Sequence, residues 1–136
     1  LAAAVLAAAT VLVAPAPAFA ASTCDGGTWT GAGSYNWFLP TYHRSPYCNL
    51  RAGNFNNWGV VALQNTLVRC YRQPIAIDGD FGADTKFALQ QAQRIHQLPV
   101  NGDYVAPVVQ RLRWPRYTAQ NVGRLEANDG CSYTIT

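Results

Sequence analysis

Between Asn57 and Arg72 the apolar positions fall at Val60, Leu63, Leu67 and Tyr71, with Val61 and Val68 widening the stripe. Steps of three and four place these side chains on one face of a helix. Asn57 is a good N-cap, because its side chain can accept from the first unpaired amides. Pro74 stops the helix, lacking a donor and biasing Gln73 away from helical angles. The pattern therefore predicts a first helix from about Trp58 to Arg72. Thr85, Ala88, Leu89, Ala92 and Ile95 predict a second from about Ala83 to His96, with Asp84 well placed against its dipole. A short third helix is expected from about Val105 to Arg113.

A polar turn precedes each of the last two helices. Asp78-Gly79-Asp80-Phe81 and Asn101-Gly102-Asp103-Tyr104 correspond at a constant offset of 23 residues, at which Ala83 meets Ala106 and Leu89 meets Leu112. One such turn-and-helix unit cannot bury its own apolar face, so the two copies must pack together with the first helix. Residues 22–57 differ in character. They are rich in Gly, Asn, Ser, Tyr and Trp, show no helical periodicity, and read as a loop-rich extension. The expected fold is all-α: a small three-helix bundle with duplicated turn-helix units, plus a disulfide-stapled, loop-rich N-terminal extension.

The first nineteen residues carry no charge, and Pro15 and Pro17 interrupt the apolar run before Ala18-Phe19-Ala20. That is the form of a secretory signal cut after Ala20, and too short for a membrane span. The expected organisation is a removed signal at 1–20, the extension at 21–56, the helical domain at 57–114 and a tail at 115–136. Export makes Cys24, Cys48, Cys70 and Cys131 candidates for two disulfides. Three pairings are possible; Cys24–Cys48 with Cys70–Cys131 is favoured, the first pinning the extension and the second tying the tail to a helix. Zinc is disfavoured, since there is no C-x-x-C pair and only His43 and His96 remain.

Ten Lys and Arg against seven acids give a net charge of +3, which suits an anionic envelope surface and is too weak to argue for nucleic acid. The cluster Arg111, Arg113, Arg116 and Arg124 reads as a solvated face. The only glutamate is Glu126, with Asp129 three residues on, so the carboxyl pair of a glycosidase is missing. Two isolated histidines are too few for a zinc peptidase, and an even cysteine count leaves no spare nucleophile. The chain is expected to be neither an enzyme nor a cofactor protein.

The ordered string Val60-x-x-Leu63-Gln64-x-x-Leu67, Ile77-Asp78-Gly79-x-Phe81-Gly82-x-x-Thr85-x-x-Ala88-Leu89, then Gln93, Leu98 and Val100-Asn101-Gly102 resembles the bacterial peptidoglycan-binding domain family. The resemblance covers about residues 57–114. It implies a three-helix module that anchors secreted proteins to the cell wall without catalysis, with peptidoglycan, as stem peptide or glycan, the partner. Several positions depart from the family. It usually has an aromatic at Ala92, Pro at Ala83 and Asp at Asn101, while Val105, Ala106, Val108 and Val109 stand for its Gly, Pro, Thr and Trp. A ring from the extension, Trp37 or Phe38, is expected to fill the space left at Ala92.

The expected ligand contacts are Asp80 and Asp103, projecting from the turns, with Asn101 and Tyr104 beside them. Asp78 is expected to cap its own turn and Phe81 to enter the core. Gln90, Arg94 and Gln97 form a polar stripe on the second helix. They would join a groove with the Asn101–Tyr104 loop, Arg94 meeting a stem-peptide carboxylate. An alternative function is a secreted protein-binding or inhibitory module whose interface is the aromatic extension, with another secreted protein as partner.

Overall fold

The computed structural model describes residues 3–4 and 22–133. The segment at 1–20, expected to be a signal peptide, lies almost wholly outside them. Three helices are present, α1 (Trp58–Tyr71), α2 (Ala83–Ile95) and α3 (Ala106–Arg111). The Asn57 side chain caps α1 by accepting from the amides of Gly59 and Val60 at 2.7 and 3.2 Å. Arg72 then leaves the helix in the left-handed conformation, its N–H bonding the Leu67 carbonyl.

The fold is not all-α, and the extension is not loop-rich. Two antiparallel sheets of two strands each flank the helices: β1 (Gly26–Ala32) with β2 (Tyr35–Thr41), and β3 (Trp114–Pro115) with β4 (Cys131–Ser132). The reason lies in residue type. β1 and β2 are rich in Thr, Trp, Tyr and Phe, which suit a pleated surface, and Gly33-Ser34 joins them as a two-residue turn. Gly33 takes φ +63°, which glycine supplies without steric cost. Helical periodicity is missing there because the operative period is two.

β2 is buried on both sides from Trp37 to Thr41. Trp37 and Leu39 enter the main core with Val60, Leu63 and Leu67 of α1 and Ala88, Leu89 and Ala92 of α2. Trp37 thus shares a buried cluster with Ala92. Phe38 faces the opposite way and stacks on Trp29, ring centroids 5.1 Å apart. Gly27 permits this, since a Cβ there would lie 2.4 Å from the Phe38 ring.

Residues beyond α3 are also integral. Trp114 and Tyr117 are fully buried, and Tyr117 exchanges backbone hydrogen bonds with Asn36 of β2 at 2.8 and 2.9 Å. The disulfides join Cys24 to Cys48, closing the segment that carries the hairpin, and Cys70 of α1 to Cys131 of the C-terminal strand. Tyr71 Oη accepts from the Arg113 amide at 2.9 Å and bonds His96 Nε2, so the end of α1 holds both the end of α2 and the exit from α3.

Candidate ligand-binding clefts

Each turn is held by a buried glutamine from the preceding helix. Gln64 of α1 is 1% exposed. Its Oε1 accepts from the amides of Asp78 and Gly79 at 3.0 and 2.9 Å. Its Nε2 donates to Asp78 Oδ1, the Asp80 carbonyl and Thr85 Oγ1, each at 3.0 Å. Gln93 of α2 repeats the grip. It accepts from Asn101 and Gly102 at 3.2 and 2.9 Å, and donates to Asn101 Oδ1 and the Asp103 carbonyl at 3.0 and 3.1 Å. A carboxamide is the one neutral side chain that offers donors and an acceptor in a single plane, which a turn with both inward amides and an inward carbonyl requires.

The turns close on themselves alike. Asp78 Oδ1 accepts from the Asp80 amide, and Asn101 Oδ1 from the Asp103 amide, both at 3.0 Å. Gly79 and Gly102 sit at φ +80° and +71°, where a side chain would strain the backbone. Hydrogen bonds from the Asp80 amide and then the Gln64 carboxamide hold the Asp78 carboxyl below its ordinary pKa.

Each turn opens onto its own cleft. The first, about 240 Å³, is lined by Gln64, Asp78, Asp80, Asp84 and Thr85 with Ile75 and Ala76 at one side. The second, about 80 Å³, is lined by Gln93, Asn101, Leu98, Pro99, Val105, Pro107 and Val108. The offset of 23 residues relates them: Ile75 to Leu98, Ala76 to Pro99, Asp84 to Pro107, Thr85 to Val108. Duplication has left one polar cleft and one small apolar one. In the first, the N-cap position of α2 is Gly82, which supplies no side-chain bond to the opening amides of the helix. Gly82 and Ala83 at the start of the helix line the same space as Asp78, Asp80 and Asp84.

The expected site residues separate. Asp80 is exposed and borders the first cleft, its Oδ1 accepting from the Asn56 amide at 2.8 Å. Asn101 borders the second. Asp103 is half-buried, its main chain engaged in the second turn. Gln90, Arg94 and Gln97 line neither cleft. Tyr104 is a correction: it is fully buried, packed edge-on against Trp114, and its hydroxyl has no partner among the described residues. Burial drives its phenol pKa well above the ordinary value, and no ligand can reach it.

The extension explains why the two turns share no hollow. The Leu50 amide and carbonyl pair with those of Tyr104, both at 2.9 Å. Phe81 pairs with Asn54 and Gly53 at 2.8 and 2.9 Å. The segment from Leu50 to Asn54 thus occupies the space between the corresponding aromatics. Gln64, Gln93, Asp84 and Thr85 are the residues that sequence reasoning did not assign to the site. A polar residue on the apolar face of a helix, followed by an Asp-Gly or Asn-Gly turn, was the available signal.

Among the described residues no group of three or more His, Cys, Asp or Glu side chains could hold a metal ion, and no helix is long and apolar enough to cross a membrane. Residues 57–104 match the model of a family described as a putative peptidoglycan binding domain. No curated protein and no solved structure matches the chain.

Proposed function

We propose, from the match of residues 57–104 to the peptidoglycan-binding domain family, that the protein is a secreted, wall-retained module that seats a stem peptide in the polar cleft of the first turn. The observation that carries this reading is one cleft lined both by the start of α2, which has no side-chain cap, and by the acidic residues Asp78, Asp80 and Asp84. Amides at a helix start suit a peptide carbonyl or carboxylate, and the acids suit an ammonium group. A peptide bearing both charges is complementary to that mixture; a purely anionic ligand is not. The second cleft, with Pro107 and Val108 in place of Asp84 and Thr85, offers little of this chemistry.

A shallow cleft of this size supports weak binding at one site, and a polymer that repeats its ligand turns weak binding into retention. The binding module needs no catalytic group for this role. The charge-free run and small-residue cleavage pattern at 1–20, which fit an export signal, support secretion.

Sedimentation with purified, protein-free sacculi tests the reading. The wild-type protein should pellet with the sacculi, and Asp84→Asn should pellet markedly less while melting within a few degrees of wild type. Asp84 is exposed and makes no side-chain hydrogen bond among the described residues, so its loss costs only the helix-dipole contribution, about 0.3–1 kcal/mol. A wild-type protein that stays in the supernatant would refute wall binding.

A further inference from the structure

Asp78 has a second side. Behind the first turn lies a groove of about 410 Å³, walled by Asn56, Trp58 and Asp78 and floored by Val61, Ile77 and Leu125. Its size falls in the range of small-molecule sites. We infer that this groove is a sugar-stacking subsite that takes an N-acetylhexosamine unit of the wall glycan, with the Trp58 indole as its platform. The inference rests on the wall-binding reading and adds the glycan to the peptide.

Trp58 is the first residue of α1, and 66% of it is exposed. The other tryptophans are buried or half-buried. Neither the Trp58 indole N–H nor the Asn56 carboxamide makes a hydrogen bond among the described residues. An aromatic face carries negative charge density and attracts the C–H groups that line one face of a pyranose. Hydroxyl and acetamide groups project from the edge of the same ring. The free carboxamide of Asn56, the indole N–H and the Asp78 carboxylate supply donors and acceptors at that edge. A lipid chain would leave these polar groups unpaired, at a cost that disfavours it.

The groove is fixed before any ligand arrives. Asn56 is held at φ +49° by its amide bond to Asp80 Oδ1, and the Asn57 amide bonds the Gly79 carbonyl at 3.1 Å. Leu125 is anchored by its carbonyl, which accepts from Tyr117 Oη at 2.8 Å, and Asn65 Nδ2 donates to that same hydroxyl. Asp78 lines both this groove and the peptide cleft. A glycan strand in one and its peptide branch in the other would meet at that carboxylate.

The test compares retention on intact sacculi with retention on glycan strands stripped of peptide by an amidase. Wild-type protein should be held by both. Trp58→Ala should lose about tenfold on stripped strands, and Asn56→Gly, which keeps the positive φ while removing the carboxamide, should also weaken retention there. Both variants should melt close to wild type, since each removes an exposed side chain. Wild-type protein held by intact sacculi but not by stripped strands, or Trp58→Ala held as well as wild type, would overturn the glycan subsite alone. Wild-type protein held by neither material would overturn the wall-binding reading and this inference with it.

Discussion

Gln64 and Gln93 hold the two turns with the same pattern of bonds, but only Gln64 finds an additional acceptor, Thr85 Oγ1 at 3.0 Å. The equivalent residue in the second copy is Val108, which lines the same cleft as Gln93 and has no polar group to offer. The scaffold has therefore kept its clamp in both copies while the chemistry around it diverged. Polarity remains where the cleft is larger, and the smaller cleft has turned apolar.

Removing a clamp leaves inward amides without partners. Gln64→Leu should destabilise the protein by about 2–4 kcal/mol, the cost of orphaning the Asp78 and Gly79 amides and the Asp80 carbonyl. Gln93→Leu should cost somewhat less, because one partner fewer is lost. Urea unfolding midpoints at constant m-value measure both. Equal stability of Gln64→Leu and wild type would show that the turn holds itself.

Asp78 gives the acid limb of stability a defined sign. Its folded pKa lies below the ordinary 3.8, first through the Asp80 amide and then through Gln64. Between those two values the unfolded chain binds more protons, so stability rises with pH there. The contribution is complete above 3.8 and is lost as pH falls through the folded value. Asp78→Asn, which cannot ionise, should flatten the stability profile below pH 3.8 relative to wild type, as followed by thermal melts in that window.

The disulfides close loops of different length, with Cys24–Cys48 spanning 24 positions and Cys70–Cys131 spanning 61. Chain-entropy arguments give about 3.5 kcal/mol for the first and about 4 kcal/mol for the second. Cys24→Ala with Cys48→Ala should therefore cost slightly less than Cys70→Ala with Cys131→Ala. The first pair should also expose the Trp29–Phe38 stack as the hairpin loosens from α1, which near-ultraviolet circular dichroism would report.

The helices were legible because Val60, Leu63 and Leu67 repeat at helical spacing, Asn57 is a strong cap and Pro74 a strong stop. The paired turns were legible because Asp-Gly and Asn-Gly recur at a fixed offset. The hairpin escaped a search for helical periodicity, although Gly33-Ser34 between two runs of β-forming residues marks it. Tyr104 misled because a phenol prefers water in general, whereas here the Leu50 backbone and Trp114 cover it. No local pattern announces the Leu50 part of that coverage, since it comes from 54 positions earlier in the chain. The first cleft was hidden for a related reason: Gln64 and Thr85 meet only once α1 and α2 have packed.

Chemical-shift mapping with a soluble disaccharide-peptide fragment of the wall tests the central claim most directly. Perturbed backbone amides should cluster at 78–85, with further shifts at Asn56 and Trp58, and the Asn101–Val108 region should stay still. Shifts concentrated at Gln90, Arg94, Gln97 and the second turn, with residues 78–85 unmoved, would contradict the assignment of binding to the first cleft.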